Sequence, residues 1–262
     1  MGGPPVGLDS PLLAHLRPWL DRLPPRPDAG AVAALAATLD LRTAGGRLLR
    51  FVPPAADGLA YECRVWERGE VETRPDNWHD FFNALVWFAF PRAKAALNAR
   101  HLREMALSAS GRGAGRDAMT HFDECGLVVA GDDPSLFELL RGFRWKELFW
   151  ERRADLARHL RFFVFGHATC EQLLAPFRGL TAKAVLYPVA TEWLALPAAA
   201  QLADLDARLA ADVDAGRLAA PRELQPVPLL GIPGVVAENA CPDYYDDSWQ
   251  FRPGRRLSPA CG

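Results

Sequence analysis

The stretch "NWHDFFNALVWFAFPRAKAALNARH", residues 77–101, sets the reading of the whole chain. Asn77 is a good helix N-cap, and Trp78, His79 and Asp80 then take the first three helical positions. Asp80 falls where a carboxylate reaches back to the cap and meets the positive end of the helix dipole. The run that follows is almost wholly apolar but too short to span a bilayer. This pattern predicts one helix from about Trp78 to Phe90 and another from Arg92 to about Leu107, separated by Pro91. His79 and Asn83 share one face of the first helix. A helix N-terminus disfavours the imidazolium ion, and neutral histidine is the form a metal ligand or general base must take. Capping accounts fully for Asn77 and Asp80. For His79 the structural alternative is a ring satisfied by one neighbouring hydrogen bond.

Working outward, "GRLLRFVPP" reads as a short strand. "LAYECRVWERGEVETRP" reads as a β-hairpin, with Tyr61, Cys63 and Val65 alternating with polar residues and Arg68-Gly69 turning the chain. Upstream, the stripe of Leu12, Leu13, Leu16, Trp19, Leu20 and Leu23 predicts a helix, and "AVAALAATLD" a second. Downstream, "SASGRGAGR" is a loop and "DAMTHFDECGLVVAG" a second hairpin turning near Glu124-Cys125-Gly126. A long helical region then runs from "PSLFELLRGF" through "RWKELFWERRADLARHLRFFVFGHATCEQLLAPF". "AKAVLYPVA" is a later strand and "PAAAQLADLDARLAADVDAG" a later helix. The Pro-, Gly- and aromatic-rich end has no helical period, and its aromatics predict an extended segment packed over the core. The expected architecture is an α+β single domain, predominantly helical, with one or two short hairpins and an extended C-terminal segment. An N-terminal helical segment (1–50) would pack on the main domain (51–255), followed by a tail (256–262).

Half of the 262 residues are hydrophobic, enough for a substantial core. A formal charge of −2 and a pI near 6.3 give no strong basic signature for nucleic acid. The five cysteines are spread out with no CxxC pair, which argues against a disulfide framework or a zinc knuckle and fits free thiols in a reducing compartment. The N-terminus lacks the basic and apolar regions of a signal peptide. A cytoplasmic protein with no membrane partner is expected. Its other partners are not legible. "GRGAGR" lacks the Lys-Ser/Thr ending of a phosphate-binding loop, and no GxSxG elbow is present.

Three polar clusters carry the candidate chemistry. His79 and Asn83 form the first. His167 and Glu171 in "FGHATCEQLL" lie one helical turn apart, able to share an ion or simply to hydrogen-bond each other. Asp117, Asp123 and Glu124 in "RDAMTHFDECG" can bind a divalent cation or orient a water. On the hairpin reading, Asp117, Met119, His121 and Asp123 share one strand face, and the acidic pair is otherwise turn chemistry. Lys94, Asn98 and His101 follow at helical spacing, and Arg116 can clamp an anion.

These segments, "TRPDNWHDFFNALVWFAFPRAKAALNARH", "GRDAMTHFDECG", "FGHATCEQLLAPF" and "PVPLLGIPG…EN…YYDDSWQFRP", together resemble an uncharacterised proteobacterial family classed as a domain of unknown function. The resemblance runs from about Phe51 to Arg255. It implies a single-domain cytoplasmic bacterial protein and supplies no activity.

Two functional readings follow. In the first the protein is a metal-dependent hydrolase acting on a phosphoester or nucleic-acid-type substrate. His79, Asp117, Asp123, His167 and Glu171 would hold a divalent ion. Asp80 or Glu124 would deprotonate a water, Lys94 would stabilise developing charge, and Asn83, Asn98 and Arg116 would contact substrate. A His-Asn-His nuclease is set aside because Asn98 and His101 lie too close together. In the second reading the protein is a non-enzymatic binding or assembly module whose buried polar network fixes the fold. Convergence of His79, Asp123 and His167 in one pocket would separate the two.

Overall fold

Helix α4 (Trp78–Ala89) runs through the centre of the molecule with every residue from Phe81 to Ala89 buried. A helix apolar all round must be surrounded, and this one is. The computed structural model describes residues 6–107, 114–218 and 220–254. The other helices are α1 (Arg17–Leu20), α2 (Ala29–Ala36), α3 (Tyr61–Arg68), α5 (Pro91–Leu107), α6 (Ala114–Cys125), α7 (Pro134–Arg141), α8 (Arg153–His159), α9 (His167–Gln172) and α10 (Ala198–Asp214). The strands are β1 (Arg50–Val52), β2 (Glu70–Glu72), β3 (Gly126–Gly131), β4 (Leu160–Val164), β5 (Thr181–Pro188) and β6 (Gln225–Pro228). The chain is α+β, mainly helical, around one core.

Four strands form a mixed sheet in the order β4-β3-β5-β6. β3 runs antiparallel to β4, with Leu127 opposite Val164, and parallel to β5, with Gly126 opposite Lys183. β6 completes the far edge antiparallel to β5. β3 is buried at every position, as an apolar run in a central strand covered on both faces requires. β1 and β2 form a separate parallel pair with Arg50 opposite Glu70. Parallel strands need a crossover, and α3 supplies it.

That crossover corrects the first expected hairpin. Tyr61 to Arg68 is helical, and Gly69, at φ 67°, closes the helix in the left-handed conformation. The turn lies where the sequence places it, but it joins a helix to a strand. Arg64 is almost fully buried on α3, held by Asp57, by Glu70 at 3.0 Å and by Glu72 at 3.1 Å. A charged residue facing inward interrupts the apolar stripe that would otherwise mark the helix. The second expected hairpin is also a helix–strand unit. Ala118, Met119 and Phe122 are buried at helical spacing on α6, which runs straight into β3 at Gly126. The strand face proposed for Asp117, Met119, His121 and Asp123 therefore does not exist. The third correction is β4: "LRFFV" interrupts the expected helical region as a strand, because a short apolar run carries no decisive period.

In the N-terminal stripe Leu12, Leu13 and Leu16 are buried in the core, while Trp19, Leu20 and Leu23 pack against it only partly buried. His15 ties this segment to the sheet through Nε2 and the Val164 carbonyl, 2.9 Å apart. Beyond β6 the chain proceeds in short turns, and Tyr245 and Phe251 pack against each other with ring centroids 5.1 Å apart. Trp145 donates its indole N–H to the Arg252 carbonyl over this packed segment. Of the expected glycine loop (108–116), Ala114, Gly115 and Arg116 instead form the first turn of α6, and 108–113, like the tail at 256–262, lie outside the described residues.

Two contacts place the functional side chains. Asp206 of α10 accepts the backbone N–H groups of Arg92 (3.2 Å) and Ala93 (2.8 Å), capping the first turn of α5. Phe165 and Gly166 both donate their N–H to the Gly126 carbonyl at 2.9 Å. This brings the start of α9 against the junction of α6 and β3. A Cβ on Gly166 would collide with the Glu124 carbonyl and the Gly126 nitrogen.

Candidate metal centre

A cleft of about 410 Å³ opens between α3, α4, α5, α6 and α9. α4 contributes His79, Asp80 and Asn83, α6 contributes Thr120, Asp123 and Glu124, and α9 contributes His167. His79 is in the first turn of α4 because Asn77 caps that helix, accepting the Asp80 N–H at 2.9 Å. His167 opens α9 directly after Gly166. Glu124 ends α6 directly before the junction with β3. Three helix termini thus meet at one point.

At that point His79 Nε2 and His167 Nε2 are 3.0 Å apart. Glu124 Oε2 lies 3.5 Å from His167 Nε2 and 4.0 Å from His79 Nε2. Donors about 2.1 Å from one zinc-like ion stand roughly 3.0–3.4 Å from each other in octahedral or tetrahedral geometry. The set is compatible with ligation of a single ion after a small movement of Glu124.

The outer nitrogens sharpen this. His79 Nδ1 is 3.2 Å from Glu171 Oε2, so Nδ1 donates to the carboxylate, and in the neutral ring Nε2 then carries the lone pair. His167 is 5% exposed, and its Nδ1 makes no hydrogen bond of full geometry. Asp123 faces that nitrogen, with Oδ2 at 3.9 Å. If Nδ1 carries the proton of His167, two Nε2 lone pairs converge. If Nε2 carries it, a bare buried Nδ1 points at a carboxylate. Protonating the ring is unfavourable, since burial holds His167 down to about 4. A cation between the two Nε2 atoms and Glu124 relieves the conflict. Glu171 on the outer nitrogen of His79 is also the support that a metal-bound histidine ordinarily has.

Behind this centre lies a buried polar network. Lys94, 3% exposed, donates to Asp123 Oδ1 at 2.5 Å and to Asn83 Oδ1 at 2.9 Å. Asn83 in turn donates to the Tyr61 hydroxyl at 3.1 Å. Burial works against charge on both Lys94 and Asp123, but their mutual attraction outweighs it, raising the lysine and lowering the aspartate. Asn98 donates to Glu62 Oε2 at 2.6 Å and to the Glu62 carbonyl at 3.0 Å. Burial pushes Glu62 up to about 7 against that amide's pull, and it raises Glu124 as well. Burial also lowers His101.

The expected site residues therefore separate by position. His79, His167 and Glu124 point donor atoms at one another. Glu171 reaches His79 instead of sharing an ion with His167, and Asp123 stands behind His167 in the hands of Lys94. Asp80 lies in the cleft but is clamped by Arg74 at 2.7 and 2.8 Å, and despite its burial that clamp lowers its pKa. Lys94, Asn83 and Asn98 hold other residues in place. Among the described residues the lining includes neither Asp117 nor Arg116, although Arg116 lies close enough to Glu62 to act on its charge. Tyr61, Glu62, Glu72 and Arg74 are cleft residues that the sequence reading did not single out. All four fall within the segment taken for a hairpin. Read as a helix, it carries Tyr61 and Val65 one turn apart, and that spacing was the available signal.

Among the described residues no helix is long and apolar enough to cross a membrane. The sequence model of one family, described as "Protein of unknown function (DUF3025)", matches residues 49–255. No curated protein and no solved structure matches the chain. The chain belongs to the DUF3025 family.

Proposed function

We propose that this DUF3025 protein is a divalent-metal-dependent hydrolase whose ion is held by His79, His167 and Glu124. The observation that carries the reading is the pair of Nε2 atoms 3.0 Å apart, with Glu171 on the outer nitrogen of His79 and the buried Nδ1 of His167 left without a hydrogen bond of full geometry. Two histidines and one glutamate leave coordination positions open, the arrangement of a catalytic metal and not of a sealed structural one. An ion there lowers the pKa of a bound water and polarises the group under attack.

The substrate class we put forward is a phosphoester. Three cleft carboxylates already have cations: Glu72 has Arg64, Asp80 has Arg74 and Asp123 has Lys94. Beyond these pairs the positive character would come from the ion, with Arg74, whose side chain is 55% exposed, shared between Asp80 and the substrate. Both are suited to phosphoryl oxygens.

The test is elemental analysis of untreated protein, followed by hydrolysis of bis(p-nitrophenyl) phosphate with and without chelator. The expected result is about one redox-inert divalent ion per chain, lost in His79→Ala, with metal-dependent turnover. Absence of metal from wild type, with none taken up on dialysis, favours a structural network in a binding module. An iron site that consumes oxygen moves the chemistry away from hydrolysis, since the same ligand set serves non-haem iron.

A further inference from the structure

We propose that Glu62 is the proton acceptor for the water activated at the His79–Glu124–His167 centre and returns that proton to the leaving group. The inference rests on the hydrolytic reading above. A water attacking from a metal centre must lose a proton as its oxygen bonds to the substrate. The group that takes it must face the cleft, hold no ion in its own right and not be locked to a permanent cation.

Five carboxyl groups line the cleft: Glu62, Glu72, Asp80, Asp123 and Glu124. Glu124 is the ligand. Glu72 is 3.1 Å from Arg64 Nε, Asp80 is gripped twice by Arg74, and Asp123 is 2.5 Å from Lys94 Nζ. A carboxylate in a charge-assisted pair is a weak base. Glu62 is the exception. Its Oε2 accepts from the Asn98 amide at 2.6 Å, and among the described residues it forms no ion pair and its Oε1 accepts no hydrogen bond. Asn98 also holds the Glu62 backbone carbonyl, so one residue fixes both ends of the group.

The charges that act on Glu62 come from Lys94 on α5 and from Asp123 and Arg116 on α6. They partly offset one another, and burial sets the balance at about 7. A group balanced there accepts and releases a proton near neutral pH, as a general acid–base catalyst must. His101 is the other candidate in the lining, but burial takes its basicity below that of an ordinary histidine. The proton transfers involve no change of oxidation state. As the water oxygen bonds to phosphorus, one water proton passes to the Glu62 carboxylate. As the phosphorus–oxygen bond to the leaving group breaks, its electron pair stays on that oxygen and the proton on Glu62 moves to it.

Cobalt(II) provides a readout independent of any substrate. The full-length protein and Glu62→Gln are loaded with Co²⁺, and the visible absorption is followed against pH. Two interacting groups titrate in two coupled steps. Wild type is expected to show two steps, for the cobalt-bound water and for Glu62, and Glu62→Gln one step at equal cobalt stoichiometry. Asn98→Ala keeps both steps and moves the carboxyl step upward, because it removes a hydrogen bond that favours the charged form. Cobalt-loaded wild type and Glu62→Gln with superimposable titrations overturn the role of Glu62 and leave the metal centre standing. A wild type that binds no cobalt overturns both.

Discussion

Glu171 and Lys94 show how much of this site depends on residues one step removed from its centre. Glu171 holds the His79 ring by its outer nitrogen, 3.2 Å away. Replacing such a carboxylate ordinarily costs about 10–100-fold in metal affinity. Glu171→Gln is therefore expected to weaken Zn²⁺ binding by that factor in calorimetry, with little change in thermal stability, since the side chain is 43% exposed. Lys94 gives the opposite pattern. It is 3% exposed, and its loss leaves Asp123 without a counter-charge. Breaking a buried pair from one side costs about 3–5 kcal/mol, while replacing both partners can be nearly neutral. In urea denaturation Lys94→Met should lose stability on that scale, and Lys94→Met with Asp123→Leu should recover much of it. The sequence picked out Glu171 as a polar group in an apolar run and Lys94 by its helical spacing with Asn98 and His101. It did not order them around His79, because that order depends on which helix termini meet.

At the level of elements, what could be read was whatever had a local cause. α4 was legible because Asn77 caps it and its apolar run is continuous, and α10 because its stripe is long. α3 and α6 were not. Each presents too short a run for alternation and helical spacing to separate, and α3 buries Arg64 inward. β4 was lost for the same reason. The link between α10 and α5 was invisible too, since a cap supplied from 113 residues away leaves no local mark. That cap has a pH signature. Burial raises Asp206 to about 6, against 3.8 for an ordinary aspartate, so the folded state prefers the protonated form. Its contribution to stability is full below about 3.8 and falls as pH rises through about 6. Asp206→Asn does not titrate. Its urea midpoint relative to wild type should therefore improve between pH 4 and pH 7, and an unchanged difference would show that Asp206 does not control this window.

For the whole molecule, metal binding at the proposed centre would be coupled to folding, because α4, α6 and α9 come together only in the folded chain. An ion bound by the folded state alone stabilises it by about 2.7 kcal/mol at a hundred times its dissociation constant. Adding Zn²⁺ to chelator-treated protein should raise the melting temperature, and the rise should vanish in His167→Ala. The α+β class and the helical bias were legible from the sequence. The meeting of three polar clusters was not, since it is a property of the assembled chain. What sets the spacing of the two on α6 and α9 is Gly166, which has no side chain to contribute chemistry. Its backbone lies directly on the Glu124 carbonyl and the Gly126 nitrogen, and one methyl group there would act as a wedge between α9 and α6. In a screen for lost metal, Gly166→Ala should score with the histidines while its far-ultraviolet circular dichroism stays native. A genetic map of this site would thus include a residue that never touches the ion, and its intolerance would measure the tolerance of the ligand spacing itself.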